Sequence, residues 1–153
     1  MTLLLAFLLG VVSGLRSLTP PALLAWAVQG RPELQGTLLG FMSTAPVAYA
    51  LSALALIELV TDKLPFTPSR LTPVPLAARI LMGGLCGATV ATIGGGILLV
   101  GALAGAVGGI AGAFLGYHVR RHLTTKQRIG DLAVALSEDV LTIAGAWLLT
   151  RGV

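Results

Sequence analysis

Long apolar stretches dominate the chain, separated by short polar or proline-rich segments. The first runs from about Leu3 to Ala27 and is interrupted by SGLRSLTPP, residues 13–21. Pro20 lacks an amide proton and Pro21 follows it, so the run predicts two half-helices meeting at a polar break, with a proline kink as the simpler alternative. Unwound backbone at membrane depth survives only where protein buries it or where it lines a wet cavity. Gln29 to Gln35 reads as a short polar loop. The second run, about Thr37 to Val60, contains Pro46, which is expected to bend it, and ends in the polar ELVTDKLPFTPSRLTPVP. Third and fourth runs share residues 76–117; at ~1.5 Å per residue this stretch is about twice a bilayer core of ~30 Å. Gly94–Gly95–Gly96 marks the turn between them. A basic loop, HVRRHLTTKQR, precedes a last run from about Ile129 to Leu149.

The expected fold class is therefore all-α: one polytopic transmembrane bundle over residues 1–153, with five or six membrane helices and a broken first segment. Composition agrees. Only 10% of residues are charged and 56% are hydrophobic, whereas a soluble domain carries about 25% charged residues. Lipid must cover much of the surface. A net charge of +4 does not point to nucleic acid, because the basic residues lie in short loops between apolar runs, where the positive-inside rule places them. If the crossings alternate, Lys63, Arg70, Arg79, Arg120, Arg121, Lys126 and Arg128 fall on one side and Arg31 and Arg151 on the other. That bias predicts cytoplasmic basic loops able to meet anionic lipid headgroups, in a bacterial inner membrane. Trp26 and Trp147 then lie near the outer interface and the C-terminus is outside. A first segment that crosses once puts the N-terminus in the cytoplasm and makes five crossings; a re-entrant hairpin puts it outside and makes six helical pieces. The N-terminus lacks the charged region of a signal peptide. The single cysteine, Cys86, excludes an intramolecular disulfide and a cysteine metal cluster and reads as a small buried residue.

Small residues organise the fourth run. Gly101, Gly105 and Gly109 repeat every four positions, and so do Gly108, Gly112 and Gly116. Two such ridges on one helix allow two neighbours to approach closely, within the chain or in a homodimer. Residues 53–60, ALALIELV, match residues 133–140, AVALSEDV, at five of eight positions and an offset of 80. The same offset lays the break near Arg16 onto Gly94–Gly96, which suggests two related halves, 1–64 and 76–153.

Charge inside the apolar runs is the candidate chemistry. Arg16, Glu58 and the pair Glu138–Asp139 sit at depths where a charge costs a few kcal/mol or more unless it is paired. Glu58 and Asp62 share one helical face; Asp62 and Lys63 are expected at the interface, with Glu58 deeper. Arg16 is the counter-charge, and a buried bridge to Asp139 or Glu58 is expected. Ser13, Ser17 and Thr19 add hydroxyls beside the break, where half-helix ends would present amides and carbonyls to a ligand. The candidate ion or substrate site is thus Arg16, Glu58, Glu138, Asp139, Asp62, Ser17 and Thr19. His118 and His122 stand four apart, but no third ligand is evident, so no metal is expected. No nucleotide-binding or hydrolase motif occurs, and neither a cofactor nor an enzymatic activity is expected.

Taken together, GLRSLTPPALLAW, IELVTDKLPFTPSR, GALAGAVGGIAGAFLGYHVRR and ALSEDV resemble a family of small bacterial inner-membrane proteins, a domain of unknown function with no established activity. Its most specific pieces match Gly14–Arg16, Glu58–Pro65 and Glu138–Asp139. The resemblance implies a polytopic membrane protein and supplies neither substrate nor catalytic residue. The leading expectation is a small transporter or channel-like protein with a buried Arg/carboxylate site; the alternative is a non-transporting lipid-binding or assembly protein whose buried charges are structural.

Overall fold

The computed structural model describes residues 1–62, 71–125 and 131–153, without the side chains of Thr125 and Asp131. Prolines set several boundaries. The first run splits into α1 (Thr2–Leu15) and α2 (Thr19–Ala27), with Pro20 and Pro21 in the first turn of α2, where a missing N–H costs nothing. Pro46 likewise begins α3 (Ala45–Thr61) and does not bend it: the start of the second run, up to Ser43, holds a short 3₁₀ turn at Gly40–Ser43. α4 (Pro73–Ile93) begins earlier than its apolar run because Pro73 and Pro75 occupy its first turn. Gly95, at φ +68°, turns the chain into α5 (Leu98–Thr125). Helix α5 continues through His118–Thr124, which the polarity pattern reads as loop; the rest of that basic segment, 126–128, lies outside the described residues, as do Lys63 and Arg70. α6 (Asp131–Thr150) completes an all-helical bundle.

Helices α4, α5 and α6 are each long and apolar enough to cross a membrane, while α1 and α3 are shorter apolar helices. Large side chains such as Leu56, Val60, Leu81, Leu103 and Leu141 are exposed around the outside. In water this would be untenable; in lipid it is the expected surface.

The core is a three-helix unit of α1, α4 and α5 built on backbone contact. A Cβ at Gly105 would stand 2.0 Å from the carbonyl oxygen of Gly83, and one at Gly10 would stand 2.1 Å from that of Gly105. Gly101 and Gly109 meet α4 at Gly87 and Arg79; Gly108 and Gly112 meet α1 at Phe7 and Val11. Gly116 is buried on the same helix. The two ridges of α5 therefore pack two different neighbours in the same chain, at Gly101, Gly105 and Gly109 on one side and Gly108 and Gly112 on the other.

Contacts fix the direction of each helix. Thr2 lies against Gly94, and Leu5 against Gly152, so the start of α1 shares one end of the bundle with the α4–α5 turn and the end of α6. Trp26, near the end of α2, meets Tyr49 in the first half of α3 edge to face and donates to Ser52 midway along it, and lines one groove with Trp147. The chain thus descends in α1, turns back in α2 and descends again in α3. Helices α4, α5 and α6 run up, down and up. Helices α1 and α2 form a hairpin with its break at the lower end.

Candidate functional site

The break is assembled at a defined depth. Gly14 packs against Gly109, and Arg79 faces the same glycine from α4. Arg79 stands about 22 Å along α4 from Gly94 at ~1.5 Å per residue, toward the opposite end of the bundle. At this level α1 ends in extended backbone at Arg16 (φ −137°, ψ 119°) and α2 begins after Leu18.

Arg16 is fully buried. Its Nη1 donates to Asp62 Oδ2, on the residue that caps the end of α3, and its Nη2 donates to Asp139 Oδ1 of α6. One planar fork thereby joins the α1–α2 break to two other helices. Glu58 holds the other side of the break. Its Oε1 accepts from the Ser17 amide at 2.8 Å and the Ser17 hydroxyl at 2.5 Å, and its Oε2 accepts from the Leu18 amide at 2.9 Å. These are donors that the start of α2 cannot satisfy itself, and a carboxylate there also meets the positive end of the helix dipole.

Arg79 completes the set. It is buried, and its Nε donates to the carbonyl of Gly14 at 2.9 Å, one of the orphan acceptors at the end of α1. A cation thus sits at the negative end of α1 and an anion at the positive end of α2. Glu138 and Asp139 are both buried in the second and third turns of α6, and the Glu138 carbonyl accepts from Thr142. Two buried polar atoms beside the break, Arg16 Nε and the Thr19 hydroxyl, have no hydrogen-bond partner among the described residues.

The sequence-derived residues converge, with three changes. Arg16 bridges Asp139 as expected, but its second partner is Asp62, expected at the interface, while Glu58 takes backbone amides instead of the guanidinium. The half-helix ends, expected to face a ligand, are occupied by Glu58 and Arg79 side chains. Arg79, counted as a loop charge, belongs to the buried cluster; Pro73 and Pro75, a strong helix-start signal, would have placed it in the second turn of α4. Of the remaining candidates, Ser13 turns its hydroxyl toward the sulfur of the buried Cys86 at 3.9 Å, and His118 is exposed with Nδ1 2.8 Å from the Phe114 carbonyl.

A family described as a domain of unknown function (DUF4126) matches residues 3–151. The chain belongs to this family. No curated protein and no solved structure matches it. The family match spans every element of the cluster, from Arg16 to Asp139, so the break and its carboxylates lie within the family's domain.

Proposed function

We propose that the protein is a small transporter whose central site is the Arg16 break. One observation carries this reading: an unwound segment between apolar helices is closed by a guanidinium shared between carboxylates of two other helices, and by a third carboxylate on its second half-helix. Discontinuous helices with charged groups at their ends are how membrane transporters place sites away from either surface. Carboxylates there are loads that a proton or cation can neutralise. Neutralising Asp62 or Asp139 would free one arm of Arg16 and loosen α3 or α6 from the break. The opposite running order of α1–α3 and α4–α6 supports two inverted halves, although Glu58 and Glu138 both reach the lower end.

A Glu58→Gln, Asp139→Asn double variant should stay folded and lose flux in proteoliposomes loaded with a panel of ions and small solutes. Wild-type flux in that variant sinks the proposal. In this reading the end of α5, with Arg120 and Arg121, lies at the cytoplasmic headgroups of a bacterial inner membrane, against anionic lipid.

A second reading has its own observation. The glycine contacts leave α1, α4 and α5 touching through backbone, which favours a rigid scaffold that binds lipid or a partner without transport. Here single-charge variants would lose folding, and removing Arg16 together with Asp62 and Asp139 would restore part of it without any flux being at stake.

A further inference from the structure

We infer that the start of α2 is a site for a small monovalent anion, and that the Glu58 carboxylate is its tethered occupant. The inference rests on the reading of the break as a transport site and names the substrate class. Three donors, the Ser17 amide, the Ser17 hydroxyl and the Leu18 amide, converge on one carboxylate at a helix N-terminus. Such a set is an anion site whoever supplies the anion. Glu58 comes from a separate helix, and its side chain spans the gap, so the occupant can leave while the donors stay in place. A second observation points to a ligand: Arg16 Nε and the Thr19 hydroxyl, on the residues either side of Ser17–Leu18 and 0% and 5% exposed, have no hydrogen-bond partner among the described residues. Buried donors without acceptors are rare and mark a missing acceptor.

Protonation of Glu58 removes its charge and its preference for these amides. A halide, nitrate or similarly small anion then takes the donors, with Arg16 Nε as a further ligand. The proton stays on the Glu58 carboxyl while the anion occupies the site. The charged groups around this exchange are Arg16 at the break, Asp62 on α3, Arg79 on α4, and Glu138 and Asp139 on α6. The vacated amides keep the positive end of α2, and that end, not the net charge of the surrounding groups, holds the anion. The size limit follows from the packing: the occupant replaces one carboxylate group, which excludes phosphorylated metabolites and large organic anions.

The test is equilibrium dialysis of radiolabelled chloride against the purified full chain in lipid nanodiscs, with nitrate as competitor. Glu58→Gln, which keeps the shape and removes the charge, should bind one chloride per chain at neutral pH, about tenfold or more tighter than wild type. Wild type should gain the same binding on acidification, and Ser17→Ala in the Glu58→Gln background should weaken it. A folded Glu58→Gln that binds neither anion overturns the inference. Should Glu58→Gln not fold, absence of chloride binding by acidified wild type overturns it equally. Proteoliposome flux separates the two layers: cation flux without anion binding removes the anion site and leaves the transporter, whereas anion binding without flux of any solute removes the transporter and leaves the site.

Discussion

Gly105→Ala isolates what holds the bundle together. The new Cβ would stand 2.0 Å from the Gly83 carbonyl oxygen, and the nearest comfortable approach is about 3.4 Å, so α4 and α5 must separate by roughly 1.4 Å or bend. The obstacle is backbone, which cannot rotate away as a side-chain tip would. Gly105 also meets α1 through Gly10, so relief toward α4 disturbs a second interface. Overpacking of this kind costs about 1–3 kcal/mol, and the double constraint places Gly105→Ala near the upper figure. At about 2–4 °C per kcal/mol for a chain of this size, thermal unfolding in detergent should fall by about 6–12 °C. Gly145→Ala is the matched control: its Cβ would meet only the Val12 methyl, at 3.6 Å, an ordinary contact. Equal midpoints for the two variants, with both near wild type, would refute the claim that backbone contact between glycines sets the stability of the bundle.

Four further outcomes are expected. Arg16→Ala strands Asp62 and Asp139 at depth and should cost about 3–5 kcal/mol in a denaturation assay, with partial recovery when both carboxylates are converted to amides. Arg79→Ala should lower the thermal midpoint by leaving the Gly14 carbonyl without its donor, a loss of about 1–3 kcal/mol, and Arg79→Lys should not fully restore it. Ser17→Ala removes one of two donors to Glu58 Oε1 and should cost about 1 kcal/mol while leaving the fold intact by circular dichroism. Gly95→Ala, at φ +68° with open space around it, should cost about 1 kcal/mol from backbone strain alone, and Gly95→Asn less.

Helices α4, α5 and α6 were legible because lipid leaves one strong signal, a run of apolar residues long enough to span, while the prolines and the polar break marked where the shorter α1, α2 and α3 begin and end. The glycine ridges of α5 were legible for a similar reason, since a four-residue spacing of small residues has few uses other than close approach. Their partners were harder to read. Gly10 and Gly14 in α1, and Gly83 and Gly87 in α4, form only one four-residue step each, and the pairing of helices shows that they complete the same contact. At the site, sequence identified the residue types, Arg16 as the centre and Asp139 as a partner, but offered Glu58 where Asp62 is the second partner. Depth alone set Asp62 aside at the interface and favoured Glu58, whereas what assigns the partners is which helix end each carboxylate meets. Glu58 faces the start of α2 and so takes amides; Asp62 caps α3 at the level of Arg16 and so takes the guanidinium.

The glycine contacts and the charged break depend on each other. A Cβ at Gly14 would strike the Gly109 carbonyl at 2.4 Å, and one at Gly109 would strike that of Arg79 at 2.7 Å. The end of α1 therefore lies against both α4 and α5 at the level where Arg79 must reach the Gly14 carbonyl. Wider spacing would lengthen that bond beyond use and leave a cation and an orphan carbonyl buried apart. Close packing is thus what lets two arginines and their carboxylates exist at this depth. The dependence is asymmetric: α3 and α6, which carry Asp62, Glu58 and Asp139, make none of the backbone contacts that lock α1, α4 and α5. If charge neutralisation moves anything, it moves those two helices against a fixed three-helix core, and distances from α3 or α6 to α4, measured between spin labels, should change with acidification while the α1–α5 distance stays constant.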